Sequence, residues 1–281
     1  MKKSILGILL AAISLNGFSQ ASSEIGISTG FSSYLGDLQP QDYTYRDVSF
    51  AGGIFARHNV TPELSFRSFL NYARVRASDA NSGVQSHIER NLHFRSDIVE
   101  AGIVSEINVL PFDSYHGGNR RSRRYFNITP YVFGGVNIFH FNPKAEYKGS
   151  WVELQPLHTE GQDMSYNGQA PYSLTQIAIP FGLGFKYQTS GHICISIEMG
   201  ARKTFTDHLD DVSGNYPDMT QLELENGTIA SDMSYRGDEL STGFKGDMSF
   251  QQRGNSSNKD WYLINTISVS YKFYHAKRRS Y

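Results

Sequence analysis

The stretch "WYLINTISVSYKF", residues 261–273, decides the fold because its apolar and polar residues alternate with a period of two. Only an extended strand places every second side chain on the same face, so the stretch predicts a β-strand with one apolar face. The apolar face carries Trp261, Leu263, Ile267, Val269, Tyr271 and Phe273. The opposite face carries Thr266, Ser268, Ser270 and Lys272.

The same alternation recurs along the chain. Residues 176–187 and 193–206 show it clearly. Five further segments show a less regular alternation: 22–35, 48–59, 63–77, 92–110 and 126–141. This gives eight strands, an even number. No amphipathic helix pattern of useful length separates them, so an all-β fold is predicted and a βαβ architecture is disfavoured.

The connections between the predicted strands alternate in length. Short links such as "NVTPE" (59–63) and "QTSGH" (188–192) fall at one end, and long links near 142–174 and 207–260 fall at the other. This pattern is typical of an eight-stranded antiparallel transmembrane β-barrel with short periplasmic turns and long extracellular loops. A soluble lipocalin-like barrel is the alternative, but it would turn its apolar residues inward around a ligand. The charged residues on the polar face favour the membrane barrel.

The N-terminal stretch "MKKSILGILLAAISLNGFSQ" has the features of a secretory signal: two lysines, an apolar run and small residues near position 19. We therefore expect residues 1–19 to be removed and residues 20–281 to form the barrel in the outer membrane. With 26 Lys and Arg against 27 Asp and Glu, no attraction to nucleic acid is expected. The single cysteine, Cys194, excludes an internal disulfide and is predicted to be a buried thiol.

Charged residues on the polar faces of the strands are predicted to point into the barrel. An eight-stranded barrel has an interior just wide enough to be filled by side chains, so opposite charges there can pair. The predicted interior network consists of Arg57, Arg67, Glu100, Glu106, Lys186, Glu198 and Arg202. Glycines on the same faces would leave room for the long arginines. The main interpretation is a polar plug, and the alternative is a path for protons or ions.

Aromatic residues near the predicted strand ends are expected to form the girdles that mark the two membrane interfaces of such barrels. These residues are Tyr34, Tyr72, Tyr131, Tyr187, Trp261 and Tyr271.

The stretch "TDHLDD", residues 206–211, is a candidate site because Asp207, Asp210 and Asp211 follow a predicted strand directly. The main hypothesis is that these carboxylates cap the barrel rim through hydrogen bonds, since charges are costly at bilayer depth. A calcium site is the alternative, but it requires about six to eight oxygen ligands. Catalysis is disfavoured because His140, His158 and His208 show no convincing spacing with a serine and an acid. No enzyme activity, cofactor or small-molecule substrate is therefore expected.

Charge is distributed unevenly between the two ends. Residues 207–260 contain eleven acidic and four basic residues. The opposite end has a basic turn, 113–124, and a basic tail, 274–281. Their cations are Arg120, Arg121, Arg123, Arg124, Lys277, Arg278 and Arg279. Such runs are often solvated surface, but they can also form a docking surface for an acidic periplasmic partner.

Six blocks together resemble the PorG-like outer-membrane β-barrel proteins of Bacteroidota, and they occur in the order found in that family. They are "YLGDL" (34–38), "RHNVTPELSFR" (57–67), "FRSDIVEAGIVSEINVLPF" (94–112), "TPYVFGGVNIFHFNPKA" (129–145), "IPFGLGFKY" (179–187) and "RKTFTDHLDDVS" (202–213). The resemblance covers nearly all of the predicted mature chain.

This resemblance implies a component of the type IX protein secretion machinery, which in many relatives also supports gliding motility. In such a role the barrel would sit among outer-membrane lipids and anchor a periplasmic ring built of a lipoprotein and its partner protein. A stand-alone small barrel for adhesion or envelope stability is the alternative function. The resemblance implies no catalytic residues.

Overall fold

The structure is a computed structural model that describes residues 22–39, 47–112, 126–165, 169–189 and 191–274. Within these ranges the backbone forms one sheet of ten antiparallel strands. The strands are β1 (Ser22–Leu35), β2 (Ser49–Asn59), β3 (Leu64–Ser78), β4 (His93–Asn108), β5 (Ile128–His140), β6 (Pro143–Tyr147), β7 (Ser150–Glu153), β8 (Thr175–Gln188), β9 (Ile193–Thr204) and β10 (Trp261–Tyr274).

Eight of these strands close into a barrel. Neighbours pair in the order β3, β2, β1, β10, β9, β8, β5 and β4, and a pairing between β3 and β4 completes the ring. The remaining two, β6 and β7, form a hairpin that pairs with the first part of β4. The predicted eight-stranded antiparallel barrel is confirmed, and each predicted strand agrees with the structure within two residues at either end.

The outer face of the barrel is apolar. Ile27, Ile103 and Val136 expose 66%, 58% and 61% of their surface. The residues that alternate with such outward residues along each strand point inward. A water-soluble protein rarely exposes a continuous apolar patch larger than a few hundred Å². The apolar side chains therefore face lipid, as the membrane barrel requires, and the lipocalin-like alternative with an apolar interior is excluded.

The prediction of aromatic girdles is wrong for two of the six residues. Tyr34 and Tyr131 are almost completely buried inside the barrel, whereas Tyr187 and Tyr271 are about half exposed on its outer face. The reason is the period of two: outward-facing residues of β1 include Ile25 and Ile27, so an even-numbered residue such as Tyr34 must face inward.

The four long connections pack together at one end, which we call the long-loop end. They are L1 (36–48), L2 (79–92), L3 (141–174) and L4 (205–260), and their described residues form a structured cap over the barrel. The cap shares an apolar cluster with the adjoining barrel strands, to which it contributes Leu38 from L1, Leu92 from L2, Leu154 from L3 and Leu209 from L4. The barrel is thus covered at this end.

Short helices occur within the cap. They are α1 (Gln85–Arg90), α2 (Met219–Asn226) and α3 (Thr228–Ser234), with single 3₁₀ turns at Asp79–Asn81, Gln155–Leu157 and Gly237–Glu239. In the described ranges, no helix has the length and apolar character needed to cross a bilayer.

Candidate functional site

The centre of the barrel interior is organised around Glu106 on β4. Three cations meet its two carboxylate oxygens: Arg57 Nε at 2.8 Å, Arg67 Nε at 2.6 Å and Lys186 Nζ at 2.6 Å. Glu106 and Lys186 are completely buried from water. A buried carboxylate is stable only when it is paired and hydrogen-bonded, and here three strands besides β4 supply the partners.

The network extends from Glu106 to two further carboxylates. Arg57 also binds Glu24 on β1, with 2.7 Å between Nη1 and Oε2, and Lys272 Nζ lies 3.8 Å from Glu24 Oε1. Arg67 also binds Glu198 on β9, with 2.5 Å between Nη2 and Oε2. A connected ion-pair network therefore links most of the barrel strands to one another across the interior.

A second cluster lies nearer the long-loop end. Arg202 Nη2 lies 3.1 Å from Glu100 Oε1, and the Tyr262 hydroxyl donates to Glu100 Oε2 at 2.7 Å. The side-chain amides of Asn71 and Asn137 donate to the same carboxylate at 2.8 and 2.6 Å. Gly200 allows this arrangement, because a Cβ at that position would lie only 2.6 Å from Arg202 Nη1.

The structure places all seven residues of the predicted interior network inside the barrel and joins them by ion pairs in two clusters. The prediction omitted Glu24, Lys272 and Tyr262, although the same alternation puts them on the inward face. The interior is filled by these side chains together with an apolar cluster: Phe55, Phe69, Val104, Tyr131 and Phe133. The arrangement fixes the strands to one another across the barrel.

The loop cap contains two buried arginines that join different loops. Arg90 on α1 makes a paired contact with Asp79 of L2, at 2.8 and 2.7 Å from its Nε and Nη2. Arg90 also donates to the backbone carbonyls of Asp37 in L1 and Arg253 in L4. A guanidinium group has five fixed donors, which suits it to hold several loops at once.

The second buried arginine is Arg253 of L4. Its Nη1 lies 3.0 Å from Glu160 Oε1 in L3, and its Nη2 lies 3.6 Å from Asp211 Oδ2. Glu160 also accepts hydrogen bonds from the backbone amides of Ser213 and Gly214. L3 and L4 are therefore joined by a buried ionic contact and not only by surface charges.

The three carboxylates of the predicted rim site are buried in this cap and point to different partners. Asp207 accepts from Ser213 Oγ at 2.7 Å, and Asp211 accepts from the Tyr172 hydroxyl at 2.7 Å. Asp210 accepts from the Tyr34 hydroxyl at 2.6 Å. Within the described parts of the chain, no group of three or more His, Cys, Asp or Glu side chains could hold a metal ion.

Burial changes the acidity of these carboxyl groups. It raises the pKa of Asp207 from 3.8 to about 7, and nearby Asp37 adds to the effect. It also raises the pKa of Asp211 to about 6, although Arg253 opposes the change. Burial and the neighbouring carboxylates raise the pKa of Asp210 and Asp260 well above the usual range. These carboxyl groups of the cap therefore keep a proton to higher pH than an ordinary aspartate does.

Two of the histidines that the sequence pattern disfavours as catalytic residues make other contacts. His140 Nδ1 lies 3.0 Å from Thr175 Oγ1, and His208 lies 3.9 Å from Glu160 and stacks on Tyr172. Neither contact pairs a histidine with a serine. The predicted basic turn, 113–124, and the predicted signal segment lie outside the described residues, as does the predicted basic tail, 274–281, except for Tyr274.

Replacing Arg253 by glutamine is expected to loosen L4, because Glu160 and Asp211 would lose a buried cation. Limited proteolysis of the purified full chain should then cut L4 at least about fivefold faster, while the barrel resists as before. Lys144→Gln is the control, since its ion pair with Glu153 is exposed. Equal cleavage of L4 in the wild type and in Arg253→Gln would contradict this role.

The closed ring of strands, the outward apolar face and the ion-paired interior define a transmembrane β-barrel of eight strands. The chain belongs to the DUF6089 family, described as a domain of unknown function, whose sequence pattern matches residues 3–244. No curated protein sequence matches the chain.

Several solved structures are similar in fold. Ail, the attachment invasion locus protein of Yersinia pestis, is 7% identical, with 90% of this chain and 99% of that chain covered and a TM-score of 0.40. Neisserial surface protein A is 9% identical over 90% and 97% of the two chains, with a TM-score of 0.40. A major outer membrane protein from Thermus thermophilus is 12% identical over 90% and 99%, with a TM-score of 0.41. Similarities at this level do not extend to function.

Proposed function

We propose that this protein is a non-enzymatic component of the outer membrane whose barrel serves as a rigid anchor. The observation that carries the proposal is the combination of an apolar outer face with an interior closed by buried ion pairs. An eight-stranded barrel filled by side chains has no wide aqueous channel. Such a barrel is suited to hold other proteins at the membrane more than to conduct solutes.

The specific role that we propose is in type IX protein secretion, where the barrel would hold a periplasmic ring of a lipoprotein and its partner protein. The support is the ordered set of six sequence blocks that resemble PorG-like proteins. The short connections would face the periplasm and the long-loop cap would face the exterior. The basic turn at 113–124 and the basic tail would then meet an acidic surface of the ring.

The test is co-purification from native membranes. The full chain with an affinity tag would be extracted gently and its partners identified by mass spectrometry. The wild type should retain the ring lipoprotein and its partner. Combined replacement of Arg120, Arg121, Arg123 and Arg124 by serine should release most of both proteins while the barrel remains in the outer membrane. A matched control would remove two exposed cations of the long-loop end, Lys148 and Lys245.

Equal recovery of the ring proteins with the serine variant would contradict the docking role of the basic turn. Absence of both ring proteins from the wild-type preparation would contradict the secretion role itself. The alternative function, a stand-alone barrel for adhesion or envelope stability, is favoured by one observation: the four long loops form a structured cap whose apolar core continues into the upper barrel. Crosslinking from the basic turn would separate the two functions, since only the anchor has a ring partner there.

A further inference from the structure

The Tyr34 hydroxyl, at the end of β1, contacts two carboxyl groups at once. It lies 2.6 Å from Asp210 Oδ2 and 2.9 Å from Asp260 Oδ1. A phenol has one proton and can donate it to only one of these oxygens. The other contact can be a hydrogen bond only if that carboxyl group carries a proton and donates it to the phenol oxygen. Two ionised carboxylates and a tyrosine hydroxyl carry a single proton between them. The two hydrogen bonds therefore require one additional proton, bound to a carboxyl group.

The remaining oxygen of each carboxyl group already has a donor. Asp210 Oδ1 accepts from the Val212 amide and Asp260 Oδ2 accepts from the Leu209 amide, both at 2.9 Å. Asp210 and Asp260 expose only 2% and 1% of their surface, so water does not stabilise a second negative charge. Two ionised carboxylates beside one hydroxyl would repel each other in a medium of low dielectric constant.

The surroundings compensate a second negative charge only in part. The Asp207 Oδ1 atom is buried without a hydrogen-bond donor, and Asp37 adds another nearby carboxylate. The charge of Arg90 opposes the rise in the pKa of Asp210, but the ion pair of Arg90 is with Asp79, and Arg253 binds Glu160 and Asp211. Lys259 donates to the Ser256 carbonyl. The charged groups that face the pair are thus mainly acidic.

We propose that Tyr34, Asp210 and Asp260 form a proton-binding latch that holds L4 closed on the barrel rim. Asp210 lies near the beginning of L4 and Asp260 is its last residue, so the shared proton fastens both ends of this loop to β1. Loss of the proton at alkaline pH leaves two buried anions on one hydroxyl and releases the loop. The cap of this barrel is therefore closed in acid and opens as the pH rises.

The direction follows from proton linkage. The pKa of Asp210 and of Asp260 is raised in the folded cap by burial and by neighbouring carboxylates, so the closed cap binds more protons than the open cap. The contribution of these two groups to the stability of the closed cap is complete below the ordinary carboxyl pKa of 3.8 and is lost as the pH rises from there through the raised values. Asp207, whose pKa is raised to about 7, moves the same equilibrium in the same direction.

Infrared spectroscopy tests the proton directly. The wild-type chain in lipid discs at neutral pH should show the carbonyl stretch of a buried, protonated carboxylic acid, which a carboxylate does not have. This band should be lost or reduced in Asp210→Asn and in Asp260→Asn, and retained in Asp247→Asn, whose carboxyl group is exposed in the same loop. A wild-type spectrum without such a band, or a band that both latch variants retain unchanged, would overturn the proposal.

Limited proteolysis tests the release of the loop. Cleavage within L4 of the wild type should accelerate about tenfold or more between about pH 6 and about pH 9, relative to cleavage of an unfolded substrate at each pH. An asparagine imitates a protonated aspartate, because its amide can donate to the tyrosine oxygen while its carbonyl accepts. Asp210→Asn and Asp260→Asn should therefore keep L4 resistant at alkaline pH, and Asp247→Asn should behave as the wild type. A cleavage rate that is independent of pH in the wild type would contradict the latch.

Discussion

Replacing Glu106 by glutamine is expected to lower the free energy of unfolding by about 3–5 kcal/mol. The substitution keeps the shape of the side chain but removes the anion that Arg57, Arg67 and Lys186 share. Three cations would then remain at the centre of the barrel with too few partners. Urea unfolding of the full chain in lipid discs, followed by the change in gel mobility between folded and unfolded barrels, measures the effect.

The control for Glu106→Gln is Glu153→Gln on β7. The ion pair of Glu153 with Lys144 has a distance of 2.9 Å, similar to those of Glu106, but it is largely exposed. An exposed pair contributes only about 0.2–1 kcal/mol, so this variant should unfold almost as the wild type does. If both variants lose the same small amount of stability, the interior network does not hold the barrel together.

The second large effect is expected on the lipid-facing surface. Replacing Ile103 by arginine would place a charge on the outer face of β4, where Ile103 is 58% exposed and pairs with Val136. An arginine near the middle of the bilayer destabilises such a barrel by about 2–4 kcal/mol. The unfolding measurement in lipid discs, or the yield of folded barrel from refolding into vesicles, would show the loss.

Leu224→Arg is the matched control for Ile103→Arg. Leu224 is an equally apolar residue on α2 of the cap and is 73% exposed. Because the cap lies outside the lipid, an arginine there should change the stability by less than about 0.5 kcal/mol. Equal effects of the two substitutions would mean that the outer face of β4 does not contact lipid.

The barrel could be predicted from the sequence because its signal is local and periodic. Alternation along "WYLINTISVSYKF" locates β10 and separates its lipid face from its inward face without knowledge of any other strand. The same parity places Glu106 and Lys186 inside the barrel. Tyr34 lies at a strand end, as girdle residues do, but its even position in β1 turns its side chain into the barrel.

The loop cap could not be predicted in this way. Tyr34 meets Asp260 across 226 residues of sequence, and Arg90 meets Arg253 across 163. No periodic pattern in either loop specifies such contacts. The cluster of aspartates in "TDHLDD" indicated a candidate site at the barrel rim, but the sequence did not show that these carboxylates are buried. The tyrosine partners of Asp211 and Asp210 come from L3 and from β1, which only the folded barrel brings together.

The most direct test of the lipid-facing outer surface is a spin label on single cysteines, in a background where Cys194 is replaced by serine. Labels at Ile103 and Ile197 on the outer face, and at Leu224 in the cap, would be compared in lipid discs. The two barrel positions should be accessible to oxygen and shielded from a water-soluble nickel complex, whereas the cap position should be accessible to nickel. Nickel access at Ile103 and Ile197 equal to that at Leu224 would mean that the outer face of the barrel does not contact lipid.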